Sequence, residues 1–279
     1  MPPERIAPTP ETVWRRYDAM EARLSAPLSE RMLDLARLAP GMRVLDLATG
    51  RGEPAIRAAH RVGPRGTVLG IDLSTSMLAM ARERADREGV RNLTLRVGDA
   101  ASLADLPAAD LPPASFDAAL LRWGLMYMEA PRRALAGARQ ALVPGAPLVL
   151  AVFVEPERAT WFTLPRRLLA RYRPPPPLDP AGPDPFRYAE GTRLDDDLAA
   201  AGLRVAHRED VEVPLMEAKT APDLIDWVRA FGLARLLEGL PEATQQAWEA
   251  DLVREAEALR GPDGLVRLGA VTRLVVAVA

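Results

Sequence analysis

The sequence predicts an α/β fold: a mostly parallel sheet covered by helices on both faces, with a helical lid. Three observations lead there. Short runs rich in β formers are apolar on both faces, amphipathic stretches alternate with them, and Gly or Pro stands where a helix must end before the next strand. Residues 11–24 and 28–39 carry apolar side chains at helical spacing, with Pro27 between them, and read as two helices ahead of the core. Pro40-Gly41 stops the second, and MRVLDLA is the first strand. The pattern then runs as helix 53–62, strand 68–72, helix 75–88, strands 93–98 and 116–122, helix 131–141 and strand 147–153. Gly63-Pro64, Gly89 and Pro144-Gly145 supply the stops.

Beyond residue 154 the pattern loosens, and residues 173–186 hold seven prolines, which makes them a loop or a stiff connector. A helix at 193–201, an alternating strand at 203–215, helical stretches at 220–237 and 241–260, and a closing strand pair or single long strand at 266–279 complete the chain. The expected organisation is N-terminal helices at 1–40 that form part of the lid, a core at 41–154, and a Pro-rich substrate-side insertion at 155–192. Residues 193–279 then end the sheet and carry inserted lid helices at about 216–262.

Composition narrows the function classes. With 48% hydrophobic and 27% charged residues, the 279-residue chain is ordinary for a globular protein and too apolar for disorder. The net charge of -2 is spread along the chain, so no basic face is set aside for phosphate backbones, and nucleic acid is not an expected partner. Lys219 is the sole Lys among 36 basic residues, which fits a GC-rich genome better than selection for Arg chemistry. The absence of Cys excludes disulfides, thiolate nucleophiles and Cys-ligated zinc, and it fits a reducing cytoplasm. The N-terminus lacks an apolar signal region, and no stretch approaches the roughly 20 apolar residues that span a bilayer.

The segment Val44-Leu-Asp-Leu-Ala-Thr-Gly-Arg-Gly-Glu-Pro joins a strand to a helix through Gly50 and Gly52, which allow a tight bend and the close approach of a ligand. This turn also satisfies the looser dinucleotide fingerprint. Asp46 separates the two readings. An acid inside an apolar strand costs several kcal/mol unless partners satisfy it, and it suits a cationic ligand or a network of backbone N–H groups. Asp72 ends the second strand, where an acid can accept both ribose hydroxyls. Gly98-Asp99-Ala100 ends the third, where a carboxylate can accept an exocyclic amine and a backbone N–H can meet a ring nitrogen. Each acid alone has a plainer reading as a cap, a turn residue or an Asx turn; three of them at three strand ends do not.

DLATGRG, GIDLSTSML, VGDA and FDAALLRWGLMYM, taken in order, resemble the class I S-adenosyl-L-methionine (SAM)-dependent methyltransferases, in the ubiquinone/menaquinone-type and natural-product branch. The similarity covers about residues 40–155. It implies a Rossmann-like methyltransferase fold with a seven-stranded, mostly parallel sheet, and SAM as cofactor. By motif match, Asp46, Ala48, Thr49, Gly50 and Gly52 hold the methionine part, Asp72 with Leu73 the ribose, and Asp99 with Gly98 and Ala100 the adenine. Met77 packs on the adenine face. The departures are Ala48 where the family commonly has Gly, and Arg51, whose charge must be paired or turned away from a sulfonium.

Alignment of acceptor and methyl group alone can supply about 7–11 kcal/mol, so a dedicated base is optional. His60, late on its helix, and His207, on the alternating strand, read as surface or cap residues. Beyond the fourth strand, Arg122 extends the cofactor site, Trp123 and Met126 suit an apolar acceptor, and Tyr127 is placed to orient or deprotonate a hydroxyl; core packing is the competing reading for this run. Tyr17 on the first helix is a further cofactor candidate, and Trp14 and Trp161 are pocket candidates. The expected protein is a cytoplasmic monomer or homodimer that O-methylates a small apolar hydroxyl or enol acceptor in bacterial secondary metabolism. It binds no metal, nucleic acid or membrane. C-methylation of a quinone-like ring and a SAM-binding protein without methyl transfer stay open as alternatives. A nicotinamide oxidoreductase is disfavoured by Asp46 and by Gly98-Asp99-Ala100.

Overall fold

The computed structural model describes residues 10–105, 111–174, 184–189, 191–233 and 237–279. Its centre is β1 (Arg43–Leu47), whose last four residues are all buried, so it reads as one apolar run because both faces are covered. β2 (Thr67–Asp72) and β3 (Leu93–Val97) extend the sheet on one side, and β4 (Ala118–Arg122) and β5 (Leu148–Phe153) on the other. All four pairings are parallel. β7 (Val266–Val278) runs antiparallel to β5, and β6 (Arg204–Ala218) closes the edge, giving the order β3-β2-β1-β4-β5-β7-β6. The chain order reverses between β1 and β4, and open α/β sheets bind ligands beyond the carboxyl ends of the strands at such a point.

The described helices are α1 (Pro10–Leu24), α2 (Ala26–Leu35), α3 (Ala55–Val62), α4 (Thr75–Arg87), α5 (Pro131–Ala141), α6 (Thr160–Leu169), α7 (Arg193–Ala200), α8 (Ala221–Val228) and α9 (Glu242–Ala256). Three findings differ from the sequence expectation. Pro27 lies within the first turn of α2 rather than before it, where its missing N–H has no intrahelical partner to lose. α6 was not anticipated, because Pro165 sits inside it. The long helix expected from 220 stops at Val228 and passes into a π turn over Arg229–Leu233. The closing stretch is one long strand, one of the two forms expected for it. Most of the Pro-rich run lies outside the described residues.

The chain divides into two compact units. One comprises the described residues of Met1–Ser25, Pro156–Leu178 and Glu212–Ala270, and the other Ala26–Glu155, Asp179–Val211 and Val271–Ala279. α2 therefore belongs with the sheet, not with α1 as expected. Its Leu28, Met32 and Leu33 are buried, and its Glu30 and Asp34 pair with Arg57 and Arg61 of α3. The first unit has its own core of Leu164, Leu168, Met216, Trp227, Trp248 and Leu252. No helix among the described residues is long and apolar enough to cross a membrane.

Candidate active site

The carboxyl ends of β1 to β4 bring the expected cofactor residues together within one unit. After β1 the chain turns through Ala48-Thr49-Gly50-Arg51-Gly52. Thr49 N–H donates to Ile71 O on β2 at 2.9 Å, and Gly52 N–H donates back to Thr49 O at 2.9 Å. Gly50 and Gly52 have φ of 53° and 87°. At Gly52 a Cβ would lie 2.7 Å from Ile56 Cδ1 and 3.2 Å from Ala81 Cβ, so this glycine lets α3 and α4 close on the turn. Ala48 also has a positive φ, 54°. A methyl-bearing residue there costs about 1–2 kcal/mol, of which glycine would return roughly half through its freer unfolded chain. Ala48→Gly is expected to stabilise the fold by about 0.5–1 kcal/mol in urea unfolding.

Asp46 is fully buried, and among the described residues neither of its carboxylate oxygens, nor the buried Thr49 hydroxyl near it, has a partner in hydrogen-bond geometry. Burial pushes the Asp46 carboxyl up to about 7; Thr49 and Arg122 pull it down, while Glu53 and Asp72 add to the rise. The folded chain thus holds this proton more tightly than the unfolded chain. The group contributes stability below the ordinary carboxylate range and loses it progressively as pH rises to about 7. A cation beside the carboxylate would supply the missing partner.

Asp72 is occupied before any ligand arrives. Its Oδ2 accepts Gly50 N–H at 2.8 Å and its Oδ1 accepts Ser74 N–H at 2.9 Å, which ties β2 to the glycine turn and to the start of α4. Ser74 caps α4 by accepting Met77 N–H at 3.2 Å. A Cβ at Gly50 would meet Met77 Sδ at 3.7 Å, so Met77 lies beside the turn. Leu73 is 69% exposed and Val97, at the end of β3, is 55% exposed. These are apolar surfaces at the strand ends, and Val97 was not anticipated. Gly98 N–H donates to Asp72 O at 3.0 Å, and Asp99 accepts Ala101 N–H at 2.8 Å in an Asx turn that buries Ala100. The turn and ligand readings of Asp72 and Asp99 are compatible, because a carboxylate has about four acceptor sites. Arg51 is 8% exposed and held by contacts within the protein.

At the end of β4, Arg122 Nε donates to Glu53 O at 3.2 Å, and its guanidinium lies 4.7 Å from the Trp123 ring centroid. Trp123 has φ 55°, an outlier for a bulky residue of the kind that clusters at functional sites. Its ring stacks on Phe153 at 5.3 Å, and its Nε1–H reaches Thr272 Oγ1 at 3.1 Å. Met126 is 1% exposed and is a core residue, which corrects its expected place in a pocket: it has no free surface to offer an acceptor. Tyr127 keeps 47% of its surface exposed, yet the protein crowded around its phenol and the Asp184 carboxylate together push its pKa upward. The upward direction favours a hydrogen-bond donor at neutral pH over a base. His60 and His207 are exposed and face Glu88 and Glu209, at 3.2 and 2.9 Å.

Trp14, Tyr17 and Trp161 belong to the other unit. There Trp14 and Tyr17 meet Phe231, with ring centroids at 4.8 and 5.6 Å, and Trp161 packs on the Trp248 core. The Tyr17 hydroxyl is buried and has no hydrogen-bond partner among the described residues.

A family model described as a methyltransferase domain matches residues 38–166. Nocamycin O-methyltransferase of Saccharothrix syringae is 31% identical over 88% of this chain and 89% of that protein. A ubiquinone/menaquinone biosynthesis C-methyltransferase of Bordetella avium is 36% identical, over 53% of this chain and 57% of that protein. A SAM-dependent methyltransferase structure from Aquifex aeolicus shares the fold at TM-score 0.54 and 21% identity, covering 73% of this chain and 93% of that one. Its seven-stranded sheet, its glycine turn and these relatives together place the chain in the SAM-dependent methyltransferase family, with SAM as its cofactor.

Proposed function

We propose that this enzyme transfers the methyl group of SAM to an oxygen of a small, largely apolar acceptor, a hydroxyl or enol, in bacterial secondary metabolism. The observation that carries this reading is the likeness to nocamycin O-methyltransferase over nearly the whole of both chains. Bound SAM supplies an electrophilic methyl group on a sulfonium. Asp46 and the turn from Ala48 to Gly52, Thr49 included, would hold the methionine part, and the buried Asp46 carboxylate would gain the hydrogen-bond partner it lacks. Asp72, beside Leu73, accepts the ribose hydroxyls. Met77, Gly98, Asp99 and Ala100 receive the adenine, with Leu73 and Val97 offering apolar surface to its faces.

Arg122, at the end of β4, extends the cofactor side, and on the acceptor side Trp123 and Tyr127 lie beyond that end. Trp123, fixed by Phe153 and Thr272, presents a rigid wall, and Tyr127 donates a hydrogen bond to the acceptor oxygen. With SAM bound, Trp123 and Tyr127 would hold the acceptor oxygen in line behind the methyl carbon, sulfur would keep the electron pair of the broken bond, and the acceptor proton would pass to solvent. Orientation carries the rate. The test is incubation with SAM and a polyphenolic or enolic ketide, with the product resolved by mass spectrometry and NMR. A methoxy product is expected. A methyl group found on ring carbon, or no S-adenosylhomocysteine with any acceptor, sinks the reading.

A further inference from the structure

Glu53 directly follows the second glycine of the turn and is 5% exposed. A carboxylate at that depth needs partners, and it has two. Arg57 Nε, on α3, donates to Glu53 Oε1 at 2.7 Å, and Arg84 Nη2, on α4, donates to Oε2 at 2.9 Å. Arg84 is 8% exposed, and its Nε is held in turn by Glu88 at 2.8 Å. The main chain of Glu53 makes a separate tie, its carbonyl accepting Arg122 Nε at 3.2 Å. One residue thereby joins α3 and α4 through its side chain and the end of β4 through its backbone.

A buried ion pair is by itself a weak argument for stability, since such pairs are often no better than apolar packing. The position of Glu53 says more. The charged groups that act on Asp46 are Arg122 from β4, Glu53 from the turn and Asp72 from β2, and Glu53 touches the first of these directly. We propose that Glu53, clamped by Arg57 and Arg84, is a positioning residue for SAM that fixes the turn and the Arg122 side chain around the Asp46 carboxylate. This inference rests on the assignment of SAM to the turn from Asp46 to Gly52.

The ionised form of Asp46 is the one that meets a cationic ligand. Affinity for SAM should therefore fall about tenfold per pH unit below the Asp46 midpoint. Glu53→Gln keeps the main-chain carbonyl that holds Arg122, withdraws a negative neighbour of Asp46 and leaves two guanidinium groups uncompensated, so the midpoint moves down. Arg84→Met leaves the Glu53 charge less compensated, so the midpoint moves up. Each shift is on the order of one pH unit.

The experiment is calorimetric titration of SAM into wild type, E53Q, R84M and R84K at pH values on both sides of neutrality, with circular dichroism as the folding check. Shifts of opposite sign in E53Q and R84M, with R84K close to wild type, are the expected result. If R84M does not fold, the downward shift in E53Q beside an unmoved R84K carries the test. Equal losses of affinity at every pH, or no shift in E53Q, overturn the proposal, because a merely structural support would weaken binding without moving the midpoint. D46N identifies the level of failure: if it binds SAM as wild type does, the site assignment falls and takes this inference with it.

Discussion

Asp72→Ala is expected to lower SAM affinity by about 100-fold or more in calorimetric titration while the chain stays folded. Two losses add. On the proposed placement of SAM, the ribose hydroxyls lose a charged acceptor, at about 1.5–3 kcal/mol per hydrogen bond. The Gly50 and Ser74 N–H groups, now held at 2.8 and 2.9 Å, are released, and the turn that carries the methionine end loosens. A loss of about 3 kcal/mol corresponds to roughly two decades in Kd. Asp72→Asn keeps one acceptor oxygen and should lose about tenfold. Binding by the alanine variant within a few-fold of wild type would show that Asp72 serves only the turn.

Trp248→Ala should be the most damaging single substitution in the unit that holds α1, α6, α8 and α9, at about 3–5 kcal/mol in equilibrium denaturation. Trp248 is completely buried, and its Nε1–H satisfies Pro165 O at 3.1 Å. Truncation leaves both a cavity and an orphaned carbonyl. Trp248→Phe retains most of the volume and loses only the donor, and about 1–2 kcal/mol is expected. A loss below about 1 kcal/mol in the alanine variant would mean that the core collapses around the gap.

The sheet was legible because its strands announce themselves independently of context. β1 and β5 are apolar on both faces, and the glycines that end the intervening helices sit at the expected places. α6 was hidden by Pro165, which local rules treat as a breaker, although Leu164, Leu168 and Leu169 of the same helix are buried in the unit's core. The break after Val228 was hidden for a related reason: the apolar spacing continues through the π turn, whose geometry leaves no period of its own in so short a run. In the site, Asp46 and Asp72 stood out as acids in apolar strands. Glu53 did not, because one of its partners, Arg84, is 31 residues away and only the approach of α4 to the glycine turn reveals the pair. Met126 was misplaced because an apolar side chain in a functional loop and one in a core look alike in sequence.

Ala48 and Gly124 have a consequence for how this site can change over generations. A Cβ at Gly124 would lie 2.5 Å from the Ala48 Cβ, so the two positions have room for a single methyl group between them. Gly124 has φ of -100° and ψ of -40°, a conformation open to any residue, and only its neighbour keeps it bare. A lineage that carries alanine at 48 is therefore confined to glycine at 124. One that returns glycine to 48 gains freedom at the mouth of β4, beside Trp123. The order of substitution is fixed by geometry, and acceptor preference on this edge is open to drift only after the first step has been taken.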